Sequence, residues 1–194
     1  MSKVNQSELH HVVIVGGGAG GLELATQLGD LLGKSQKARI TLVDQKLTHI
    51  WKPLLHEIAA GTMNTHDEGT NYFAHSAKHH YEFILGRLDK VERDQKQIIL
   101  AKSQASKYEQ TNETLTLSYD TLILAVGSVS NDFNTTGVKE FCHYLDTPTQ
   151  AEIFQQDLLH LYLDAQNQNS DRELHIGIIG AGATGVELAA ELVQ

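Results

Sequence analysis

The sequence has little cysteine, no excess of positive charge and no long apolar run. Its single cysteine, Cys142, excludes an internal disulfide and any Cys-x-x-Cys redox or zinc pair. Its 15 basic residues against 24 acidic ones, a formal net charge of −9, argue against nucleic acid as a partner. It has no stretch of about 18 apolar residues that would span a membrane, and residues 1–11 lack the apolar core of a secretory signal. These absences predict a cytoplasmic protein.

The composition nevertheless provides a hydrophobic core. The 194 residues are 41% hydrophobic and 20% charged, values near the averages of globular proteins. This balance argues against disorder. The length suits one compact domain, or one domain and part of another.

The chain opens with the pattern of a βαβ unit. An apolar, β-branched run at 11–15 leads directly into a glycine-rich segment, 16–21. A run without alternation is typical of a strand buried on both faces of a parallel sheet. Leucine and alanine then recur at helical spacing until Gly33, and a second apolar strand follows at 39–44. A right-handed crossover makes the two strands parallel.

The glycine-rich segment predicts a phosphate-binding turn. Gly16, Gly18 and Gly21 form the pattern Gly-x-Gly-x-x-Gly between a strand and a helix, the context that dinucleotide binding requires. In such turns the backbone approaches a pyrophosphate, which the free N–H groups and dipole of the helix start hold. Asp44 follows Gly21 by 23 residues, near the spacing of roughly 20 at which a carboxylate binds the ribose. The alternative is a glycine-rich turn with a chance acid, which the combined strand, helix and acid disfavour.

The same pattern recurs near the end of the sequence. Gly180, Gly182 and Gly185 follow the apolar run 174–179, predicted as a strand, and precede a predicted helix at 186–193. Two such patterns, 164 residues apart, predict two dinucleotides. A chain that holds two dinucleotides usually moves electrons between a flavin and a nicotinamide. The alternative for the second copy is a structural turn that binds nothing.

Six stretches together carry a family resemblance. They are VVIVGGGAGGLELATQLG, ITLVDQ, HIWKPLLHEIAAGTM, YDTLILAVGS, NDFNTTGVKE and IGAGATGVELAAEL. They resemble the two-dinucleotide flavoproteins and, within them, the bacterial type II NADH dehydrogenases, which are NADH:quinone oxidoreductases. The resemblance implies an α/β, Rossmann-like FAD/NAD(P)-binding fold: a parallel sheet with helices, an antiparallel β-meander and an incomplete second Rossmann unit. Residues 1–140 would belong to the FAD-binding domain and 141–194 to the start of an NADH-binding domain.

The resemblance also assigns candidate site residues. It places FAD at the first turn, NADH at the second, residues 51–55 beside the isoalloxazine ring and 125–127 near the FAD pyrophosphate. Val126 departs from the usual Ala-Thr-Gly of that last segment. Glu187, at the nicotinamide side of the flavin, is the candidate catalytic residue, for substrate positioning or proton handling. The candidate cofactor-binding residues are Gly16, Gly18, Ala19, Gly20, Gly21, Asp44, Gln45, Lys52, Pro53, Leu54, Leu88, Ala125, Gly127, Gly180, Gly182, Ala183 and Gly185.

The hypothesis for the activity is hydride transfer from NADH to FAD, followed by reduction of a membrane quinone. Disulfide reductases and sulfide:quinone oxidoreductases need catalytic cysteines, which the segment WKPLLHEIAAG lacks. A ferredoxin or rubredoxin reductase remains the alternative enzyme. His75 and His79 have a helical ligand spacing and His80 is adjacent, but a zinc site wants three or four convergent ligands, so no metal is predicted.

We expect the sequence to be an N-terminal fragment, because the resembling enzymes are about twice as long. After Gly185 only one helix follows, although a nucleotide-binding half needs a βαβαβ arrangement. The 194 residues alone would then bind FAD weakly if at all and show no NADH:quinone turnover, acting at most as a non-catalytic nucleotide-binding module. Segments beyond residue 194 would supply the quinone side and a membrane anchor, which predicts a peripheral protein at the cytoplasmic face of the inner membrane. Whether protomers form a homodimer is left open.

Overall fold

The computed structural model describes residues 9–63, 69–101, 114–167 and 174–193. The described strands, in chain order, are β1 (His10–Val15), β2 (Ala38–Asp44), β3 (Thr48–His49), β4 (Thr70–Asn71), β5 (Glu82–Leu85), β6 (Arg87–Glu92), β7 (Gln97–Ala101), β8 (Leu115–Ser118) and β9 (Thr121–Leu124). The described α-helices are α1 (Ala19–Leu28), α2 (Leu55–Ala60), α3 (Tyr72–Lys78), α4 (Val138–Phe141), α5 (Pro148–Asn167) and α6 (Ala183–Glu191). They form two compact units.

The first unit, residues 9–49 and 70–127 where described, contains a parallel four-stranded sheet. Its strand order is β5-β2-β1-β9, and each adjacent pair is parallel. A second sheet, β6-β7-β8, is an antiparallel meander, within which residues 102–113 lie outside the described residues. The predicted combination of a parallel sheet, helices and an antiparallel meander is therefore confirmed.

The side chains of β1 alternate between two cores. Val12 and Ile14 pack with Ala25 of α1 and with residues of β2 and β5. Val13 and Val15 pack instead with apolar side chains of the meander. Because both faces of the strand are covered, its central residues are fully buried, which explains the absence of polar alternation in the sequence.

Helix α1 continues into a single π turn, Gly29–Gly33, and ends where the sequence predicts. A Cβ at Gly29 would overlap the carbonyl of His79, and one at Gly33 would overlap the carbonyl of His80. The two glycines thus allow the end of the helix to lie close to the chain leaving α3.

The second unit, residues 50–63 and 128–193 where described, is helical. Helix α2 packs against α5 and α6. Their shared core consists of Leu55, Ile58, Ala59, Ala151 and Leu188. A 3-10 turn, Lys52–Leu54, with Pro53 in its first turn, leads into α2.

The prediction of a strand at 174–179 is wrong. These residues have no regular secondary structure, and Ile179 is 86% exposed. A strand is stabilised by hydrogen bonds to a neighbouring strand, and no segment in the described part of the chain pairs with this one. The apolar run alone is therefore not enough to form the strand.

No helix in the described ranges is long and apolar enough to cross a membrane.

Candidate functional site

The first glycine-rich turn is built on close backbone approaches. Gly16 has a φ of +103°, and a Cβ there would overlap the carbonyl of Ala125. A Cβ on Gly21 would overlap the carbonyl of Gly16 itself. L side chains rarely adopt the φ of Gly16, and neither position has space for a Cβ, so both positions require glycine. The start of α1 is thereby held directly against the end of β1.

The outer side of this turn is open. Gly18 is the N-cap of α1, and a Cβ at Gly18 or at Gly20 would have no other group within 4 Å. Gly18, Ala19 and Gly20 are exposed. The first N–H groups of a helix have no partner within the helix and, with the helix dipole, favour an anion. The chain therefore provides a preformed cradle that fits the pyrophosphate of a dinucleotide.

Asp44, at the end of β2, contacts the turn directly. Its Oδ2 accepts a hydrogen bond from the N–H of Gly17 at 2.6 Å, and its Oδ1 accepts one from the N–H of Lys46 at 2.8 Å. Each carboxylate oxygen has a second lone pair, so it can still accept a hydrogen bond from a ribose hydroxyl. The ribose role of Asp44 stays a prediction, whereas its bond to Gly17 is a structural role that the spacing did not reveal. Gln45, the next residue, is exposed.

Tyr72 contacts the turn as well, although no sequence pattern predicts it. Its hydroxyl donates a hydrogen bond to the carbonyl of Gly17 at 2.6 Å, and the residue is only 2% exposed. Burial, with the charge of Asp44 and the neighbouring Tyr81, raises the pKa of the Tyr72 hydroxyl far above its usual value. No motif marks Tyr72, because its contact depends on the packing of α3 beside β5.

The segment 125–127 closes the same turn. The N–H of Ala125 donates to the carbonyl of Val15 at 2.7 Å, and the Ala125 side chain lies beside Gly21. Val126 is 66% exposed, so replacing the family's threonine there removes a hydroxyl from the surface. Gly127 has a φ of +74°. Of the candidate residues in this unit, Leu88 lies apart, packed on the meander side of the core.

The second glycine-rich turn, in the second unit, reproduces the backbone of the first. Gly180 has a φ of +108°, and Gly182 is the extended N-cap of α6, which begins at Ala183. A Cβ on Gly185 would overlap the carbonyl of Gly180, the counterpart of the contact in the first turn. This turn forms although residues 174–179 are in no sheet, so its conformation is encoded locally.

Glu187, the candidate catalytic residue, lies on α6 beside a buried histidine of α2. Its Oε2 is 3.3 Å from Nδ1 of His56, and the Glu187 side chain is 46% exposed. His56 is 8% exposed, and its Nε2 is 3.9 Å from the carboxylate of Glu57. The sequence did not suggest this pairing, which arises from the packing of α2 against α6.

Lys52 has defined partners within the second unit. Its Nζ donates to the carbonyl of Ser128 at 2.9 Å and pairs with the carboxylate of Asp146 at 3.2 Å. Burial alone would raise the pKa of Asp146, but the N–H of Ser130 and the Lys52 ammonium outweigh it and lower that pKa. Pro53 is exposed and Leu54 partly so. The flavin-side role of 52–54 stays a prediction.

The histidines near the end of α3 form hydrogen bonds with polar side chains. His79 Nδ1 lies 2.9 Å from the carboxylate of Asp30, and His75 Nδ1 lies 3.0 Å from the hydroxyl of Tyr81. The two imidazoles stack with their centroids 4.4 Å apart. Within the described ranges, no group of three or more His, Cys, Asp or Glu residues could hold a metal ion.

Comparisons with known proteins agree with this geometry. Residues 10–194 match the family described as pyridine nucleotide-disulphide oxidoreductase. The type II NADH:quinone oxidoreductase of Haemophilus influenzae is 44% identical, over 95% of this chain and 45% of its own length. The enzyme of the same name from Staphylococcus aureus is 28% identical, over 94% of this chain and 43% of its own. These matches confirm the resemblance to NADH:quinone oxidoreductases.

A solved structure supports the fold. NDH2 from Plasmodium falciparum in complex with NADH superposes with a TM-score of 0.77, covering 94% of this chain and 36% of that one, at 24% identity. The chain spans less than half the length of the relatives named here.

The two glycines at the start of α1 provide a matched pair of substitutions. Gly21→Ala should lower the free energy of unfolding by about 1–3 kcal/mol, because the new Cβ overlaps the Gly16 carbonyl. Gly20→Ala should raise it by about 0.4–1 kcal/mol, because the site is open and alanine restricts the unfolded chain. Urea denaturation followed by circular dichroism measures both. Equal effects of the two substitutions would contradict the described turn.

Proposed function

The chain belongs to the pyridine nucleotide-disulphide oxidoreductase family, and from this premise we propose that it forms the FAD-binding part of an NADH:quinone oxidoreductase. The observation that carries the proposal is the first turn, with its open Gly18 and the carboxylate of Asp44 at its edge. The 44% identity to the H. influenzae NADH:quinone oxidoreductase supports the choice of acceptor.

Each part of the chain has a separate task in this proposal. The N–H groups at 18–20 and the dipole of α1 bind the FAD pyrophosphate, and Asp44 accepts hydrogen bonds from the adenosine ribose hydroxyls. The second turn begins an NADH-binding unit, with Gly180, Gly182, Ala183 and Gly185 at the NADH phosphates. When bound, FAD supplies the redox chemistry, accepting reducing equivalents from NADH and passing them to a quinone.

The remaining candidate residues serve the flavin side. We assign Lys52, Pro53, Leu54 and Leu88 to FAD contacts, together with Gln45, Ala125 and Gly127. Lys52 is already oriented by Ser128 and Asp146, so its ammonium is held in place before a cofactor arrives. Glu187, on α6, positions substrate or holds a proton, and its carboxylate lies 3.3 Å from the buried His56 of α2.

A quinone acceptor resides in the membrane, so we place the reaction at the cytoplasmic face of the inner membrane, with the chain as a peripheral component. The residues assigned here would form an FAD-binding domain over 1–140 and the start of an NADH-binding domain over 141–194.

FAD binding is tested by a bulky substitution at the open glycine. Gly18→Val should keep the fold, because its φ of −64° suits any L residue and a Cβ there meets open space. The valine side chain should keep the pyrophosphate away from the helix N–H groups. Because hydrogen bonds to a charged group contribute about 1.5–3 kcal/mol, FAD binding should weaken about 10- to 100-fold. Calorimetric titration of FAD, with circular dichroism as the folding check, measures both effects.

The matched control is Gly182→Val, at the same N-cap position of the second turn. It also meets open space and should leave the FAD affinity unchanged. If Gly182→Val weakens FAD binding while Gly18→Val does not, the assignment of the two turns is reversed. If FAD binds neither to the unaltered chain nor to a chimera that extends it with the remaining sequence of the H. influenzae relative, the proposal fails.

Turnover is tested in a chimera that joins this chain to the part of the H. influenzae relative that follows the aligned region. The chimera should catalyse FAD-dependent reduction of a soluble quinone analogue by NADH. Glu187→Gln should lower kcat by about 100-fold, the lower end of the range for loss of a proton-handling group. Glu191→Gln is the control on the same helix, because an amide oxygen can still accept from Thr62.

Two results would count against this part of the proposal. A chimera that holds stoichiometric FAD but transfers no electrons to a quinone would contradict the assigned activity. Equal kcat values for the Glu187 and Glu191 variants would show that Glu187 has no role in the reaction.

A further inference from the structure

Gly17 is held through both of its backbone polar groups: its N–H, in the peptide group shared with Gly16, and its carbonyl, in the peptide group shared with Gly18. The N–H of Gly17 donates to Asp44 Oδ2, and the carbonyl of Gly17 accepts from the Tyr72 hydroxyl, each at 2.6 Å. Gly17 is buried, and a Cβ on it would overlap the Tyr72 ring. The orientation of this residue is therefore set by two side chains from distant parts of the chain.

The bond from Tyr72 also determines where the N–H of Gly18 points. In a trans peptide the carbonyl and the following N–H point in opposite directions, and the described residues have no cis peptide. With the Gly17 carbonyl turned inward to Tyr72, the N–H of Gly18 points outward. It therefore faces the exposed side of the turn, where a Cβ on Gly18 would meet no group beyond its chain neighbours within 4 Å.

Tyr72 itself is firmly placed. Its ring stacks on Phe83 with a centroid distance of 4.9 Å, and its N–H donates to the carbonyl of Leu47 at 3.0 Å. Asn71 caps α3 by accepting from the N–H of Ala74 at 3.1 Å, which fixes the start of the helix that carries Tyr72. The hydroxyl cannot move away without disturbing this packing.

The imidazole of His49 is a second group on the same side. Burial outweighs a hydrogen bond to the Gly17 backbone and the charge of Asp44, so the pKa of His49 lies below its usual value. Its ring centroid lies 6.3 Å from that of Tyr72. Because His49 also acts on Gly17, removing the Tyr72 hydroxyl should weaken the orientation of the peptide rather than abolish it.

We propose that Tyr72 is a positioning residue for the cofactor: by holding the Gly17 carbonyl inward, it directs the Gly18 N–H to the FAD pyrophosphate. This inference rests on the proposed function, because it assumes that the first turn binds FAD. Without the hydroxyl, the peptide samples other orientations. The fraction of binding-competent turns then falls, and the apparent Kd rises in inverse proportion.

Tyr81 provides the matched control. It belongs to the same buried cluster as Tyr72, and its hydroxyl likewise has one partner, His75 Nδ1 at 3.0 Å. That bond lies away from the glycine-rich turn. Tyr72→Phe and Tyr81→Phe each remove one buried hydroxyl, so a purely structural role would give them similar effects.

The experiment is calorimetric titration of FAD into the unaltered chain and both variants, at a temperature where circular dichroism shows all three folded. Tyr72→Phe should raise the Kd for FAD about three- to tenfold, the range of one neutral hydrogen bond. Tyr81→Phe should leave the Kd within about twofold of the unaltered value, as expected for a site distant from the ligand.

A second measurement reads the orientation without the cofactor. Residual dipolar couplings of the Gly18 N–H should differ between the unaltered chain and Tyr72→Phe, while those of Gly20 should not. Unchanged Gly18 couplings, or equal Kd values for the unaltered chain and Tyr72→Phe, would overturn the inference while leaving the proposed function intact. Failure of both the unaltered chain and the chimera with the H. influenzae relative to bind FAD would overturn both.

Discussion

The contact between Gly21 and the carbonyl of Gly16 is the constraint on which the site depends. It leaves no room for a side chain and brings the first turn of α1 against the end of β1. The sheet holds Gly16 in place. The N–H of Gly16 donates to the carbonyl of Val43, and the N–H of Ala125 donates to the carbonyl of Val15. As a consequence, one face of the turn is open. Gly16 and Gly21 pack inward, whereas Gly18 and Gly20 lie on the exposed side beside the first N–H groups of the helix.

Local patterns predicted this turn well because its geometry is local. The spacing of Gly16, Gly18 and Gly21 identifies the three positions, and the second turn at Gly180 adopts the same backbone without a sheet to support it. The apolar run of β1 likewise predicted a strand covered on both faces, as found. In each case the required information lies within a few residues.

Contacts between distant segments could not be predicted in the same way. The 174–179 run has the composition of a strand, but a strand also depends on a neighbour, which a local pattern does not contain. Tyr72 reaches Gly17 across 55 positions, and Glu187 reaches His56 across a helix interface. Neither pair has a spacing that marks it. The missed residues are those that orient the site, whereas the predicted ones form it.

The central claim is that FAD binds at the first turn through backbone N–H groups. The most direct test is a titration of the ¹⁵N-labelled chain with FAD, following each backbone amide by NMR. The account predicts that the largest shifts fall on the amides of 18–21 and that those of 182–185 change little. Shifts concentrated at 182–185, or at neither turn, would contradict it.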